Sequence, residues 1–277
     1  LVDRKILVMS GKGGVGKTTV TVNLAKALVK QGYKVGILDT DIHGPNVAKM
    51  LGCENYILTS NEDGSEIEPV VPMANLKVVS LSFAISDPEQ AIIFRGPMKL
   101  GVIKQFLADV NWGTLDYLLI DSPPGTGDEQ LAVCQNVPDL TGAIIVTTPQ
   151  SVSVLDSRRS ITFARQLNAK VLGIIENMSS FICPNCKDKH YIFGKDGGKN
   201  LAMEAKVPFL GEIPVEGTLQ ETTLKEGSEV ERAFNDIAEY IHKSVTFVHS
   251  PFDENPSSSC SPSACASCSL NCPSKKA

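Results

Sequence analysis

The chain has 277 residues, of which 42% are hydrophobic and 21% are charged. These values are typical of soluble globular domains and exclude a largely disordered or collagen-like protein. The formal net charge of −5 argues against nucleic acid as the main partner, because dedicated nucleic-acid binders carry a basic excess. No apolar run reaches the roughly 18–20 residues of a membrane span, and the first residues do not resemble a secretory signal. We therefore expect a cytoplasmic protein that binds neither membrane nor nucleic acid.

Short apolar runs alternate with helical patterns along the first 247 residues. The runs are rich in Val, Ile and Leu, as expected of a parallel sheet that is buried on both faces. This pattern predicts an α/β fold, with a doubly wound, mostly parallel sheet and helices on both faces. The predicted strands cover residues 5–9, 35–39, 76–81, 117–121, 143–147, 171–176 and 209–213. The predicted helices cover residues 17–31, 97–110, 128–136, 151–168 and 229–243.

The composition changes near residue 248. From Ser250 onward the chain has nine Ser, four Pro, four Cys and no Gly. Such a segment buries too little apolar surface to offset its ordering entropy, so we expect it to be flexible unless a metal orders it. The sequence thus predicts a folded domain over residues 1–247 and a Ser/Cys-rich tail over residues 248–277.

A glycine-rich motif follows the first predicted strand and fits the phosphate-binding pattern G-x-x-x-x-G-K-[ST]. Its glycines let successive backbone N–H groups point at phosphate oxygens, and the next helix adds its positive N-terminal end. We expect Lys17 to reach the β- and γ-phosphates and the Thr18 hydroxyl to bind Mg²⁺. The domain is therefore predicted to be a P-loop ATPase. Its predicted nucleotide-binding loop consists of Gly11, Lys12, Gly13, Gly14, Val15, Gly16, Lys17, Thr18 and Thr19.

Acidic residues end two further predicted strands. The run Tyr-Leu-Leu-Ile before Asp121 fits a Walker B strand, and a second strand ends in Asp39-Thr-Asp41. An acidic residue at a strand end is more often a turn or cap residue. Two such ends near one phosphate loop favour function instead. We predict that Asp121 holds Mg²⁺, with Asp39 as a further Mg²⁺ candidate, and that Asp41 orients the attacking water.

A lysine occupies the second position of the phosphate motif, which is unconstrained in the general pattern. Gly-Lys-Gly-Gly-Val-Gly-Lys-Thr resembles the signature of the deviant Walker A ATPases, which include partition ATPases, MinD-like proteins and the dinitrogenase reductase. In that class the first lysine crosses a dimer interface to the nucleotide of the partner. The resemblance therefore implies a homodimer with ATP between subunits, and it adds Lys12 to Lys17 and Asp41 as catalytic candidates.

The segment Cys183-Pro-Asn-Cys186 lies in a polar stretch after the sixth predicted strand. One C-x-x-C pair is compatible with a redox dithiol, a zinc knuckle or an iron–sulfur site. Structural zinc sites and cubane clusters usually take four ligands, so one pair is half a site. A two-fold dimer supplies the same pair from each subunit and favours a bridging cluster. Zinc bound within one chain by this pair and the tail cysteines is the competing interpretation.

Eight segments together resemble the Mrp/ApbC-type ATPases that carry iron–sulfur clusters. The resemblance implies a homodimer that holds a [4Fe-4S] cluster through Cys183 and Cys186 of both chains. It further implies slow ATP hydrolysis coupled to cluster loading or transfer, with apo iron–sulfur proteins as clients and scaffold proteins as partners. Asn177 matches the residue that reads adenine in this class, whereas His43 and Arg95 lie in matching segments without an assigned role. The segments are GKGGVGKTT (11–19), LDTDIHGPN (38–46), FRGPM (94–98), IDSPPGTGD (120–128), TTPQSVSVLDSRRSI (147–161), LGIIENMSSFICPNC (172–186), IFGKDGGKNLA (192–202) and VPFLGEIP (207–214).

Four further cysteines lie in the tail. Their spacing partly matches ferredoxin motifs, and four thiolates within 13 residues are enough for one cluster or one Zn²⁺. A disordered thiol tail is the alternative. Cys53 and Cys134 are expected to be ordinary semi-buried residues. The tail candidates for a second cluster or Zn²⁺ are Cys260, Cys265, Cys268 and Cys272.

Two other functions compete with an iron–sulfur carrier. A MinD- or ParA-like positioning ATPase would need a basic amphipathic helix for membranes or a basic face for DNA, and the tail and the net charge favour neither. An ATP-dependent iron–sulfur reductase would hold its cluster tightly and would not activate apoproteins.

Overall fold

A computed structural model of the protein describes residues 2–41, 44–61, 63–84, 96–183, 185–186, 188–215 and 224–246. Its helices are α1 (Lys17–Lys30), α2 (Val47–Met50), α3 (Gly96–Ala108), α4 (Asp128–Asn136), α5 (Ser151–Gln166), α6 (Gly197–Ala205) and α7 (Glu229–Thr246). Its strands are β1 (Val2–Ser10), β2 (Val35–Asp39), β3 (Thr59–Ser60), β4 (Ile67–Glu68), β5 (Val70–Met73), β6 (Leu76–Ser80), β7 (Leu115–Asp121), β8 (Gly142–Thr147), β9 (Val171–Ile182), β10 (Lys189–His190) and β11 (Phe209–Val215).

The main sheet is mostly parallel, as predicted. Within the described residues its strand order is β10-β9-β8-β1-β7-β2-β6-β5, and β11 pairs with β9. The pairs from β9 to β6 are parallel, whereas β10 and β5 are antiparallel. Parallel pairing places the carboxyl ends of β1, β2 and β7 at one edge, where Asp39 and Asp121 are register partners.

Helices cover both faces of this sheet, which confirms the doubly wound architecture. One apolar core joins the sheet to α1 and α7, and a second joins it to α3, α4, α5 and α6. Phe234, Ile237 and Ile241 of α7 are each about 1% exposed and form the stripe expected from their helical spacing. Among the described residues, no helix combines the length and the apolar character needed to cross a bilayer.

The structure departs from the predicted elements at the edges of the sheet. Strands β3, β4, β5 and β10 and helices α2 and α6 were not predicted, because two-residue strands and short helices carry little periodicity. Strand β9 continues to Ile182, six residues past its predicted end, although serines and a methionine interrupt its apolar run. This extension brings the strand directly to Cys183, which matters for the site.

Candidate functional site

The phosphate loop lies between β1 and α1 at the carboxyl edge of the sheet. Gly14 and Gly16 have φ angles of 79° and 81°, a conformation that side-chain-bearing residues rarely adopt. Gly11 is required for another reason, because a Cβ there would lie 2.2 Å from the backbone carbon of Asp156 in α5. The loop is thus shaped by its glycines, and α1 begins immediately after Gly16.

Three side chains of the first turns of α1 converge on Asp121 at the end of β7. Thr18 Oγ1 donates to Asp121 Oδ2 at 2.7 Å, and Thr21 Oγ1 donates to Oδ1 at 2.8 Å. Lys17 Nζ lies 2.8 Å from Oδ1, and both of these charged side chains are buried. The Lys17 ammonium has no well-aligned hydrogen-bond acceptor within the described part of the chain. A buried cation of this kind fits a phosphate, and the adjacent hydroxyl and carboxylate oxygens are the hard donors that Mg²⁺ takes.

Thr21 was not among the predicted site residues. It lies one helical turn after Lys17, so its side chain is on the same face of α1. A threonine inside a helix does not by itself indicate a functional site. The role of Thr21 is visible only once the fold places Asp121 beside it.

Asp39 lies beside Asp121 in the sheet, and its surroundings raise its pKa. Its Oδ2 accepts from Ser80 Oγ at 2.9 Å, and its Oδ1 accepts from the backbone N–H of Asp41 at 3.1 Å. Burial first, and the charge of Asp121 second, raise the pKa of Asp39 to about 8. Asp39 therefore keeps much of its proton at neutral pH, and its lesser Mg²⁺ role stays a prediction.

A cavity of 720 Å³ opens in front of the loop. It brings together Asp41, whose side chain is half-buried, and seven of the nine predicted loop residues, all but Gly11 and Val15. It also contains Asn46, Lys49 and Glu54, which were not predicted. The lining residues are Ser10, Lys12, Gly13, Gly14, Gly16, Lys17, Thr18, Thr19, Asp41, Gly44, Asn46, Lys49, Met50, Glu54 and Pro124.

Asn177 of β9 contacts the phosphate loop at Val15 and Gly16. Its Nδ2 donates to the carbonyl oxygen of Val15 at 2.9 Å, and both residues are buried. A Cβ on Gly16 would lie 2.2 Å from the same Nδ2. Asn177 therefore lies next to the phosphate loop, and its contact with adenine stays a prediction.

The C-x-x-C pair lies at the tip of a β-hairpin rather than in an open loop. Phe181 and Ile182 of β9 pair with the two residues of β10, and the Cys183 N–H donates to the Asp188 carbonyl at 3.0 Å. Cys183 is half-buried and Cys186 is exposed. No group of three or more metal-ligating side chains occurs in the part of the chain that the structure describes, and the four-ligand site expected from two such pairs stays a prediction.

Several predicted positions lie outside the described residues. They are His43, Arg95, Cys260, Cys265, Cys268 and Cys272. The remaining cysteines differ from each other, since Cys53 is 2% exposed and Cys134 is only partly buried.

Glu176 is a buried carboxylate that the sequence analysis missed. It precedes Asn177 in β9 and accepts a short hydrogen bond of 2.5 Å from the Gly198 N–H in the first turn of α6. Burial raises its pKa, and the Gly198 N–H partly offsets that effect. A carboxylate at a helix N-terminus is stabilised by the helix dipole. Glu176 therefore links the start of α6 to β9, the strand that leads to Cys183. In the sequence, the Gly-Gly pair at 197–198 could have indicated this contact, because the close approach of α6 to Glu176 needs small residues.

Known proteins are similar to this chain over most of its length. Residues 1–247 match the family model described as ParA, NUBPL iron-transfer P-loop NTPase. An iron-sulfur cluster carrier protein from Methanocaldococcus jannaschii is 54% identical over 224 residues, 81% of this chain and 77% of its own. The cytosolic Fe-S cluster assembly factor CFD1 of Eremothecium gossypii is 44% identical over 237 residues, 83% of this chain and 84% of its own.

Solved structures show the same fold. A nucleotide-binding protein from Archaeoglobus fulgidus, solved in complex with ADP, has a TM-score of 0.69 and 39% identity, and the match covers 87% of this chain and 89% of that one. The cell division ATPase MinD of Pyrococcus furiosus has a TM-score of 0.63 and 25% identity, over 87% and 98% of the two chains. With the phosphate loop in place and a family match over residues 1–247, the chain belongs to the ParA/NUBPL family of iron-transfer P-loop NTPases.

Proposed function

We propose that this protein is an ATP-hydrolysing carrier of iron–sulfur clusters. Two copies bind a [4Fe-4S] cluster between them and transfer it to apo iron–sulfur proteins in the cytoplasm, with scaffold proteins as further partners. The observation that carries the proposal is that β9 contacts the phosphate loop through Asn177 and ends at Ile182, immediately before Cys183. A nucleotide site and half of a metal site thus share one strand.

ATP binding is assigned to the phosphate loop and its surroundings. The loop N–H groups and Lys17 hold the phosphates, and Lys17 leaves Asp121 when phosphate arrives. Thr18 and Asp121 hold Mg²⁺, which neutralises charge on the phosphates. Asp41 orients the attacking water from the cavity wall, and Asn177 contacts the base. Lys12 lines the cavity and acts on the nucleotide of the second copy.

The cluster is the cargo, and its ligands come from two chains. Cysteine thiolates are the usual ligands of [4Fe-4S] clusters, four to each cluster. Each chain offers Cys183 and Cys186 on an accessible hairpin, and a two-fold axis through the cluster completes the set. The accessible setting of such a cluster suits release to a client.

An apolar surface beside the hairpin supports the second copy as partner. Val152 and Leu155 on α5 are 63% and 52% exposed and lie on one helix face. Tyr191 and Ile192, just after β10, are 41% and 63% exposed. The loop that follows packs close to the start of α5, since a Cβ on Gly194 would lie 3.5 Å from the carbonyl oxygen of Pro149. We assign this surface to the dimer interface, because a dimer bridged at the cysteines brings it against its own copy.

Anaerobic reconstitution with iron and sulfide tests the proposal. Wild-type protein should bind four iron and four sulfide per dimer through the hairpin thiols of Cys183 and Cys186, and should activate an apo iron–sulfur enzyme. The double variant Cys183→Ala/Cys186→Ala should lose this cluster, whereas Cys134→Ala, a matched change away from the hairpin, should keep it. Undiminished loading without the two hairpin thiols would refute the bridging site.

A chain that stops before Cys260 separates the tail from the hairpin. We propose that the four tail cysteines hold a second cluster or Zn²⁺, independently of the bridging site. The truncated chain should keep the bridging cluster and lose only that additional metal. Equal metal content in both chains would show that the tail binds none.

A further inference from the structure

Strand β9 connects the two halves of the site without a break. Asn177 lies beside the phosphate loop, and Cys183 follows Ile182, the last residue of the strand. At about 3.3 Å per residue, these six steps span roughly 20 Å. A change at Asn177 therefore has a direct mechanical route to the cysteine pair within one chain.

The segment of β9 beyond Glu176 is held less firmly than the segment before it. Pairing with β8 ends at the register pair Thr147–Glu176, so within the described residues β8 supports only the first half of β9. Pairing with β11 continues to Phe181 but shifts register between Ile213 and Val215. Phe181 and Ile182 also pair with the two residues of β10. Within the described residues, residues 177–182 still have fewer strand contacts than residues 171–176, and they form the more deformable half of β9.

Two local features mark the same half as strained. Met178 has a φ angle of 56°, a left-handed conformation that costs about 1 kcal/mol or more for a residue with a side chain. The hydroxyls of Ser179 and Ser180 are buried and have no hydrogen-bond partner among the described residues. Unsatisfied buried groups and left-handed backbone persist only where neighbouring contacts hold them, and the bond from Asn177 to Val15 is one such contact.

We infer that nucleotide binding regulates the cysteine pair of the same chain through Asn177. The Asn177 amide donates to the Val15 carbonyl oxygen. A nucleotide that engages this amide breaks that bond, which frees residues 177–182 and opens the hairpin around the half-buried Cys183. Asn177 is thus a positioning residue for Cys183 and Cys186. This inference rests on the proposed function, in that the loop binds nucleotide and the thiols hold the cargo.

Thiol labelling with ADP tests the inference without any cluster. Metal-free, reduced protein is treated with iodoacetamide with and without saturating magnesium-ADP, and each cysteine is quantified by peptide mass spectrometry. ADP lacks the γ-phosphate that Lys12 of a second copy would contact, so the measurement reports on one chain. We expect ADP to increase labelling of the half-buried Cys183 about fivefold, the effect of losing one buried hydrogen bond on a local opening equilibrium, and labelling of the exposed Cys186 by less. Labelling of Cys134 should not change.

Two variants locate the route. In Asn177→Ala the hairpin thiols should react at one rate with and without ADP, at ADP concentrations shown to be saturating by a fluorescent analogue. Asn200→Ala, the same change at an exposed position of α6, should behave like wild type. An ADP response that survives in Asn177→Ala would overturn the assignment to Asn177.

Amide hydrogen exchange of the wild-type protein needs no variant. On addition of ADP, exchange should increase in residues 177–182 and stay constant in residues 171–176. Unchanged exchange together with unchanged thiol labelling would overturn the inference. The proposed function would be unaffected if reconstitution still placed the cluster on the hairpin thiols, so the two failures are distinguishable.

Discussion

Thr18 Oγ1 donates a hydrogen bond to Asp121 Oδ2 at 2.7 Å and so joins the start of α1 to the end of β7. The two oxygens come from segments 103 residues apart in sequence, and parallel pairing of β1 with β7 brings them together. A hydroxyl and a carboxylate in this arrangement form a ready pair of Mg²⁺ donors.

Replacing Asp121 should weaken magnesium binding. We expect Asp121→Asn to bind Mg²⁺-nucleotide on the order of 10–100-fold more weakly, because an amide keeps the shape but not the charge. Titration of ATP with and without Mg²⁺ measures this. Asp116→Asn changes the other end of β7, where the carboxylate accepts from the Lys34 N–H, and should leave the magnesium effect intact. Equal magnesium dependence in wild type and Asp121→Asn would contradict the assignment.

Lys12 should act across the dimer. Lys12→Ala should retain nucleotide but lose hydrolysis by about 10³-fold or more, as when cationic help is removed from phosphoryl transfer. Asp121→Asn should also be inactive by itself. In a mixture of the two, the mixed dimer has one complete site, so activity should recover to about a quarter of wild type on random pairing. A mixture that stays inactive would place the action of Lys12 within its own chain.

The glycines of the phosphate loop should differ in tolerance to a methyl group. Gly11→Ala places a Cβ 2.2 Å from the Asp156 backbone, so the loop or α5 must move, at a cost of about 1–3 kcal/mol. Gly13→Ala has no atom within 4 Å of its new Cβ and should unfold like wild type. Urea denaturation of both variants checks the difference, and equal midpoints would contradict the close approach.

Two cysteines should be nearly inert at neutral pH. Burial raises the pKa of both Cys53 and Cys134 to about 11, with the nearby charge of Glu54 adding to the effect at Cys53. At pH 8 only about one in a thousand of these thiols is ionised, so iodoacetamide should label the exposed Cys186 first. Labelling of Cys134 should rise about tenfold per pH unit up to pH 10. A rate that does not change with pH would contradict the raised pKa.

The same shifts predict how stability varies with alkali. The folded protein holds these two thiol protons to a higher pH than the unfolded chain does. Their contribution to the free energy of unfolding is therefore complete below about pH 9 and is lost as the pH rises toward 11. Urea midpoints of Cys134→Ala and wild type should converge over this range, and parallel curves would contradict the shift.

The sequence predicted the central sheet well but not its edges. Buried strands such as β7 and β8 are continuous runs of large apolar residues, so their bounds follow from composition. The far half of β9 begins with Asn, Met and two Ser, so it lacks a continuous apolar run. Its strand conformation depends on pairing with β10 and β11, which lie later in the chain. Tertiary pairing of this kind leaves no local periodicity.

Some residues of the candidate site could likewise be predicted from the sequence, and others could not. The phosphate loop and Asp121 could be predicted because the motif fixes the backbone and the strand fixes the carboxylate. Thr21, Ser80 and Glu176 could not, because each acts through a partner that is close only after folding. The raised pKa of Asp39 likewise depends on burial beside Asp121, which sequence separation conceals.

Native mass spectrometry of the reconstituted chain that stops before Cys260 tests most directly whether two chains share one cluster, because any metal of the tail is then absent. We predict a species with the mass of two chains and one [4Fe-4S] unit attributable to Cys183 and Cys186. That species should disappear when either hairpin thiol is replaced by alanine. A cluster-loaded single chain that still activates a client apoprotein would contradict the account.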